Sequence, residues 1–280
     1  MTHEIDFRAG NGDLIKRLVW LSDLHLDALD KVKYKQFIDM VASCEADVVL
    51  IGGDISNGVA SLSYLDNMAQ MLGKQFYYVL GNHDYYYGSI PKIRAEAHQL
   101  TKNRPHLHYL TDNGIVALTK QTALIGHDGW ADGREGDFLN SDVMLNDYFL
   151  IEELKRLNHP ERLQKINELG DEAAAYFKMQ LINAFANYER VVLITHAPPF
   201  LAAALHEGQP CDVHWAPHMV DKVAGDAIKE MMQQHPEKQL LVLCGHVHSD
   251  QDIHILPNLR VVTGKSVLGI PDMQGLVYVN

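Results

Sequence analysis

Cysteine is scarce in this sequence, with three residues among 280, and no two of them form a C-x-x-C pair. The wide spacing of Cys44, Cys211 and Cys244 argues against a disulfide framework and favours reduced thiols. No apolar run approaches the roughly 20 residues that a membrane-spanning helix needs, and the polar start of the chain does not resemble a signal peptide. We therefore expect a cytoplasmic protein that does not bind membranes.

Basic residues are also in short supply, because 24 Lys and Arg face 36 Asp and Glu for a formal net charge of −12. This balance argues against long nucleic acid as a ligand, since its phosphate backbone is bound mainly by cationic side chains. The remaining composition, 47% hydrophobic and 21% charged, is that of an ordinary globular protein. We expect residues 1–280 to form a single domain. The sequence does not specify an oligomeric state.

Apolar segments alternate with amphipathic helical segments in the first hundred residues. Strands are predicted at 17–21, 48–51 and 76–80, and helices at 31–44, around 62–72 and from 89 onward. Continuous apolar runs are typical of parallel strands that are buried on both faces. The pattern therefore predicts an α/β fold with a largely parallel sheet.

The rest of the chain contains more strands and one long helical region. A β-hairpin is predicted from Leu107–Leu110 and Ile115–Leu118 around the turn T-D-N-G. Further strands are predicted at 122–126, 191–195, 239–244, 253–256, 259–263 and 275–279, and a helix at 220–233. Residues from about 131 to 188 are predicted to form a helical insertion within the domain, with a break near Pro160.

Polar side chains follow the predicted strands at the points where they end. The candidate metal ligands among them are Asp23, His25, Asp54, Asn82, His196, His246 and His248. In parallel sheets, ligands bind at the carboxyl ends of the strands. Imidazole, carboxylate and amide ligands without a thiol favour manganese, iron or zinc over a structural cysteine-type zinc site. Seven ligands are too many for one ion, and they suit two divalent ions that share a bridging carboxylate.

Five of these strand ends, taken in order, resemble the motifs of the calcineurin-like metallophosphoesterase family. They read D-L-H at 23–25, G-G-D at 52–54, G-N-H-D at 81–84, T-H-A-P-P at 195–199 and G-H-V-H at 245–248. The resemblance extends from residue 23 to residue 248 and so covers most of the chain. It implies a four-layer α/β/β/α sandwich.

The resemblance also assigns roles to the candidate residues. It implies one metal ion held by Asp23, His25 and His248, another held by Asn82, His196 and His246, and Asp54 as the bridge between them. His83 matches the catalytic histidine of the family, and Asp84 follows it, placed to orient the ring. The implied reaction is hydrolysis of a phosphodiester or phosphomonoester by a metal-bridging hydroxide. His83 would donate to the phosphoryl group or protonate the leaving oxygen.

One departure from the family narrows the expected substrate. The Ser/Thr protein phosphatase branch continues its bridging motif as G-D-x-x-D-R-G, whereas this chain reads G-D-I-S-N-G at 53–58. Asn57 stands where that branch has a carboxylate, and the phosphate-binding arginine of that motif is missing. We therefore expect a phosphodiester or a phosphorylated small molecule as substrate. The alternative function is a non-catalytic scaffold with the same fold that binds a protein partner.

Other side chains near the strand ends are consistent either with substrate contact or with ordinary packing. These residues are Tyr85, Tyr86, Tyr87, His127, Asp128, Trp130, Arg134, His206, His214, Trp215 and His218. We expect at least one of the three consecutive tyrosines to pack in the core, since they cannot all face one way. His127 and Asp128 are expected to support the ligands or to lie in a loop.

Overall fold

The structure, a computed structural model, describes residues 3–8, 16–206 and 208–280. Its strands are β1 (His3–Asp6), β2 (Lys16–Leu21), β3 (Val48–Gly52), β4 (Gln75–Val79), β5 (Leu107–Tyr109), β6 (Val116–Ala117), β7 (Thr122–Gly126), β8 (Arg190–Ile194), β9 (Leu205–His206), β10 (Gln209–Pro210), β11 (Gln239–Cys244), β12 (Gln251–Leu256), β13 (Leu259–Thr263) and β14 (Gly275–Val279). Its α-helices are α1 (Lys31–Ser43), α2 (Ala60–Leu72), α3 (Ile90–Asn103), α4 (Leu110–Asn113), α5 (Asp147–Leu150), α6 (His159–Phe185), α7 (Ala216–Met219) and α8 (Lys222–Gln234). Among the helices in the described ranges, none combines the length and the apolar character that crossing a bilayer requires.

Two six-stranded sheets form the centre of the fold. The strand order is β1-β14-β2-β3-β4-β5 in the first sheet and β12-β13-β11-β8-β7-β6 in the second. Strands β2 to β5 are mutually parallel, as are β13, β11, β8 and β7. Strands β14, β12 and β6 run antiparallel to β2, β13 and β7. The predicted α/β fold with largely parallel pairing is therefore confirmed.

A continuous apolar core lies between the two sheets. It joins Leu18, Trp20 and Leu50 of the first sheet to Val192 and Leu243 of the second, all of them fully buried. These residues sit at every second position of their strands, so their side chains share one face of each sheet. The two inner faces therefore pack directly on each other.

Helices cover the two outer faces. Helices α1, α2 and α3 pack on the first sheet through Phe37, Leu65 and Ile93. Helices α6 and α8 pack on the second sheet through Phe177 and Ile228. The order of layers is thus helix, sheet, sheet, helix, which confirms the expected four-layer sandwich.

The predicted hairpin at 107–118 is wrong. Strand β5 pairs with β4 at the edge of the first sheet, whereas β6 pairs with β7 at the edge of the second. Between them the chain turns through α4 and Gly114, which has a φ of +63°. The side chain of Leu110 is fully buried in the core between the sheets. The T-D-N-G turn therefore carries the chain from one sheet to the other, and burial of Leu110 between the sheets favours this crossing over a local hairpin.

The region from 131 to 188 contains α5 and the long helix α6. Pro160 lies in the first turn of α6, where the missing N–H would have no partner within the helix. The start of α6 is fixed by Asn158, whose side chain accepts a hydrogen bond from the Glu161 N–H while Glu161 accepts one from the Asn158 N–H. Because α6 packs on the second sheet together with α8, this region supplies part of one of the four layers.

Candidate metal centre

Three of the seven predicted ligands form one cluster, called here the open half, which consists of Asp23, His25 and His248. The Nε2 atoms of His25 and His248 lie 3.2 Å apart, and Nε2 of His248 lies 3.4 Å from Oδ1 of Asp23. Asp23 and His25 are buried, whereas the side chain of His248 is 39% exposed. The loops after β2 and β11 therefore bring these side chains together at an edge that solvent can reach.

Three other predicted ligands form a second cluster, called here the buried half, which consists of Asn82, His196 and His246. The side-chain oxygen of Asn82 lies 3.0 Å from Nε2 of His196 and 3.1 Å from Nδ1 of His246. Asn82 follows β4, His196 follows β8 and His246 follows β11, so both sheets contribute to this half. Asn82 and His196 are 8% and 3% exposed, and His246 is half-buried.

Asp54, after β3, lies between the two halves. One of its oxygens, Oδ1, lies 3.4 Å from Nε2 of His196, and the other, Oδ2, lies 3.9 Å from Nε2 of His25. Its Oδ1 also accepts a hydrogen bond from the backbone N–H of His83 at 2.9 Å. The structure thus brings together all seven predicted ligands, with Asp54 next to members of both halves.

The chemistry of the facing atoms tests whether these residues fit metal ions. The carbonyl oxygen of His218 can only accept a hydrogen bond, so Nε2 of His246, 3.0 Å away, must carry the proton. In a neutral ring Nδ1 of His246 then has a lone pair, and this lone pair faces the side-chain oxygen of Asn82. Burial favours that neutral form, because it lowers the pKa of His246. Two acceptors that face each other in this way fit a cation between them.

The open half passes a similar test on distance. One ligand atom from each of Asp23, His25, Asp54 and His248 can be chosen so that all four lie within 4.8 Å of one another. Ligands about 2.1 Å from a common ion are separated by roughly 3 to 4 Å. Burial also lowers the pKa of His25, which favours the neutral ring that metal binding needs. The residues present therefore fit divalent metal ions in both halves.

The backbone at the ligands adopts a conformation that is rare outside glycine. Positive φ values occur at five of the seven ligands, namely Asp23, His25, Asp54, His246 and His248. Each such residue costs on the order of 1–3 kcal/mol, so the surrounding structure must hold it. Hydrogen bonds from the N–H groups of Asp23 and His25 to the carbonyls of Gly53 and Asp54, each 3.0 Å, do so between neighbouring loops. Strain of this kind is concentrated at functional sites.

Two glycines allow the ligand loops to approach one another. A Cβ atom on Gly81 would overlap Oδ1 of Asp54, and a Cβ atom on Gly245 would overlap Oδ2 of Asp23. Each glycine directly precedes a ligand, Asn82 in the motif G-N-H-D and His246 in the motif G-H-V-H. Their role here is close backbone approach to the carboxylates.

The charge of the site is set by its two buried carboxylates. Burial opposes ionisation of Asp54, but the rings of His196 and His83 hold the pKa of Asp54 well below its ordinary value. Burial likewise opposes ionisation of Asp23, and the hydrogen bond from His248 outweighs it, so that the pKa of Asp23 is lowered. The carboxylate of Asp54 raises the pKa of His196 to about 10 against the effect of burial. The two carboxylates are therefore ionised, and each attracts a cation.

His83 lies beside Asp54, with its Nε2 atom 4.0 Å from Oδ2 and its side chain 28% exposed. Its other ring nitrogen, Nδ1, lies 3.1 Å from the side-chain oxygen of Asn57. The amide nitrogen of Asn57 donates to Oδ2 of Asp27 at 2.6 Å. Because this bond turns the oxygen of Asn57 toward His83, Nδ1 must carry the proton and Nε2 faces the metal centre.

The expectation that Asp84 orients the ring of His83 is wrong. The fully buried carboxylate of Asp84 accepts hydrogen bonds from the N–H groups of Ile55, Ser56 and Gly81 and from the hydroxyl of Ser61. It therefore holds the loops after β3 and β4 together, and Asn57 takes the place at the ring. Burial and the neighbouring charge of Asp54 raise the pKa of Asp84 to about 7.

The structure also places the residues that were consistent with either contact or packing. Tyr85 and Tyr86 are buried and Tyr87 is 75% exposed, which confirms that at least one of the three packs. Asp128 is buried below the site, where its Oδ1 accepts a hydrogen bond from the Leu80 N–H. Arg134 pairs with Asp132 and Asp171. These positions indicate structural roles for Tyr85, Asp128 and Arg134.

The remaining aromatic residues of this set divide in the same way. Trp130 is buried and lines a small cavity next to Asn82 and His246. The ring of Trp215 stacks on His206 at a centroid distance of 3.9 Å. His218 is buried and contacts the hydroxyls of Tyr148 and Ser141. Of these, Trp130 borders the buried half through its side chain, and His218 borders it through its carbonyl oxygen.

Sequence reasoning missed Asp147, whose carboxylate accepts a hydrogen bond from the side-chain amide of Asn82 at 2.8 Å. It also did not find the support that the His218 carbonyl gives to His246. Neither residue lies in a motif or at the end of a predicted strand, and 65 residues separate Asp147 from Asn82. No local signal in the sequence identifies such long-range partners.

A comparison with sequence families gives one match across most of the chain. The profile described as calcineurin-like phosphoesterase matches residues 16–250. A curated relative, the uncharacterized protein L509 of Acanthamoeba polyphaga mimivirus, is 26% identical over 215 residues, which are 70% of this chain and 74% of that protein. A transmembrane protein with a metallophosphoesterase domain from Danio rerio is 38% identical over 76 residues, which are 25% of this chain and 17% of that protein.

Solved structures share the fold at low sequence identity. The phosphopantetheinyl hydrolase PptH of Mycobacterium tuberculosis superimposes with a TM-score of 0.64 at 14% identity, and the match covers 89% of each chain. A dimetal phosphatase from Danio rerio superimposes with a TM-score of 0.59 at 12% identity, covering 91% of this chain and 89% of that one. At these identities the likeness concerns the fold alone.

Proposed function

Because this chain belongs to the calcineurin-like phosphoesterase family, we propose that it hydrolyses phosphomonoesters or phosphodiesters at a centre of two divalent metal ions. The observation that carries the proposal is a pair of facing acceptors at the strand ends, namely Nδ1 of His246 and the side-chain oxygen of Asn82, which lie 3.1 Å apart. In a buried site with two ionised carboxylates, this arrangement favours a cation over a direct hydrogen bond.

The ligand set divides into two metal sites with a shared carboxylate. Asp23, His25 and His248 would hold one ion, Asn82, His196 and His246 would hold the other, and Asp54 would contact both. Nitrogen and oxygen ligands without thiolate suit manganese, iron or zinc. When bound, such ions supply an activated water nucleophile and offset the negative charge of the phosphoryl group.

His83 is the residue that we propose as the proton donor. Asn57 holds the proton on Nδ1, so Nε2 is the atom that reaches the reacting group. Its side chain is partly exposed while Asp54 next to it is buried, so a substrate would approach His83 from the solvent side. From there the ring of His83, protonated on both nitrogens, donates through its Nε2–H a hydrogen bond to the phosphoryl group or a proton to the leaving oxygen. Asp84 supports this step indirectly, by fixing the loop that carries His83.

The surroundings of the site support a small substrate and a cytoplasmic location. Arg134 is paired with Asp132 and Asp171, so it is not placed to clamp a phosphate. The net charge of −12 also disfavours long nucleic acid. The three cysteines are free thiols, which agrees with a reducing compartment. The shared core between the sheets supports one domain for the described chain.

A substrate panel tests the proposal. Purified protein is loaded with manganese and assayed with p-nitrophenyl phosphate, bis-p-nitrophenyl phosphate, cyclic nucleotides and single-stranded DNA. We expect turnover of at least one small phosphoester and loss of turnover after chelation. If the wild-type protein and His83→Ala are equally inactive on every substrate while the metal-free protein binds a protein partner, the scaffold function replaces this proposal.

A further inference from the structure

The buried half depends on the orientation of one amide group. Asn82 presents its oxygen, not its nitrogen, to the ring nitrogens of His196 and His246, at 3.0 and 3.1 Å. A rotation of the amide by 180° would place an NH2 group there, and an NH2 group is not a metal ligand. An asparagine has no intrinsic preference between the two orientations, so a neighbouring group must select one.

Asp147 makes that selection. Its Oδ1 atom lies 2.8 Å from the amide nitrogen of Asn82 and accepts a hydrogen bond from it. The amide nitrogen must therefore face Asp147, which turns the oxygen toward the histidines. The hydroxyl of Tyr86 donates to the same Oδ1 at 2.8 Å and fixes the position of the carboxylate.

The position of Asp147 in the fold supports a specific role. It is the first residue of α5 and is 3% exposed, although it lies in a long region that connects β7 to α6. Backbone bonds join this region to the loop that carries the ligands, from the Tyr87 N–H to Leu150 and from the Glu152 N–H to Gly88, each at 2.9 Å. A buried carboxylate is thus held firmly against the amide of Asn82.

We propose that Asp147 is a positioning residue that fixes the side-chain oxygen of Asn82 as a metal ligand and thereby sets the affinity of the buried half for its ion. This inference rests on the proposed function insofar as it assumes a metal ion in the buried half. It assigns Asp147 no contact with substrate. Loss of a partner that supports a ligand lowers metal affinity about 10- to 100-fold, and here the loss is confined to one of two ions.

Manganese binding measured by isothermal titration calorimetry tests the inference without an activity assay. Wild-type protein should bind two ions. Asp147→Leu, which keeps the size of the side chain but removes the acceptor, should bind one ion with unchanged affinity and the other about 10- to 100-fold more weakly. Asp147→Asn should retain most of the affinity, because its own amide oxygen can accept the bond. Asp142→Leu, at an exposed position of the same region, is the matched control.

An exchange variant separates positioning from a merely structural role. In the double variant Asn82→Asp and Asp147→Asn, the carboxylate and the amide trade places, so the ligand at residue 82 has oxygen atoms only. We expect it to regain most of the affinity that Asp147→Leu loses. This variant also keeps the test valid if Asp147→Leu does not fold.

The possible outcomes separate this inference from the proposed function. If Asp147→Leu is folded and binds both ions like the wild type, the inference is overturned. If it folds and weakens both sites equally, Asp147 has a general structural role and the inference is also overturned. Wild-type protein that binds two manganese ions but hydrolyses no phosphoester contradicts the proposed function and leaves the inference standing. Wild-type protein that binds no manganese contradicts both.

Discussion

The two halves of the metal centre differ in how firmly their ligands are held. In the buried half, His196 Nδ1 lies 2.9 Å from the carbonyl of Gly52, His246 Nε2 lies 3.0 Å from the carbonyl of His218, and the amide of Asn82 donates to Asp147. In the open half, among the described residues, only Asp23 has a side-chain hydrogen bond to a residue that is not itself a ligand. Its Oδ2 accepts a hydrogen bond from the Ser22 hydroxyl at 2.6 Å.

This difference predicts that the two halves bind their ions with different strength. Fixed ligands lose less conformational freedom on binding, so the buried half is expected to bind its ion more tightly. The side chain of His248 is 39% exposed, so we expect the open half to exchange its ion more readily. Four predictions test this comparison, beginning with the residue that the two halves share.

Asp54→Asn should have the largest effect, because it removes the carboxylate that lies next to both halves. Metal ions contribute several kcal/mol of charge stabilisation in the transition state, and a loss of about 5–6 kcal/mol corresponds to roughly 10⁴-fold in rate. We expect turnover to fall by that order and metal content to fall below two ions per chain. Elemental analysis and kcat/KM measure this. Two bound ions with near-normal turnover would contradict the role of Asp54.

His83→Ala should have the next largest effect on turnover, and it should leave metal binding in both halves unchanged. Removal of a general acid lowers kcat by about 10²- to 10⁴-fold, while the seven ligands stay in place. We expect both ions to bind with wild-type affinity. His98→Ala, at an exposed position on α3, is the matched control and should retain full activity. A His83→Ala protein with normal kcat would exclude His83 as the proton donor.

Asn57→Ala should lower kcat by about 10-fold, the lower end of the usual effect of a supporting partner. The reason is that Asn57 fixes Nδ1 of His83 as the protonated nitrogen. The double variant Asn57→Asp and Asp27→Asn keeps an acceptor at the same place together with the bond between residues 57 and 27, and it should restore most of the loss, with KM unchanged in both variants. Steady-state kinetics with p-nitrophenyl phosphate measure kcat and KM separately. Equal losses in the two variants would mean that Asn57 acts only through packing.

The smallest predicted effect concerns which of the two metal ions dissociates first. A chelator should remove the ion of the open half first, with a dissociation rate about 10-fold faster than that of the buried half, which corresponds to about 1.4 kcal/mol of difference in barrier. Stopped-flow release of manganese should then show two phases. Gly245→Ala crowds Asp23 and should speed the faster phase. A single phase that this variant leaves unchanged would remove the distinction between the halves.

Much of the fold could be predicted from local patterns. The strands at Thr122–Gly126, Gln239–Cys244 and Leu259–Thr263 have the predicted bounds, because each contains an apolar run that ends at or just before a glycine or a polar residue. The edges of the sheets were harder. Strand β1 (His3–Asp6) was not predicted, since it has four residues and is defined by its pairing with β14.

The ligands could be predicted and their supports could not. His246 and Asn82 lie in motifs at strand ends, where the fold directs them to one place. Their partners, the carbonyl of His218 and the carboxylate of Asp147, come from loops whose sequence has neither periodicity nor motif. Asp84 is the opposite case, a motif residue whose role was predicted wrongly. Its place next to His83 predicted a contact with the ring, whereas its carboxylate accepts hydrogen bonds from the loop backbone.

Anomalous X-ray diffraction from crystals of the protein grown with manganese tests the central claim most directly. The account predicts two anomalous peaks about 3.5–4 Å apart, one beside Asp23, His25 and His248, the other beside Asn82, His196 and His246, with Asp54 next to both. A single peak, or peaks remote from the strand ends, would contradict it.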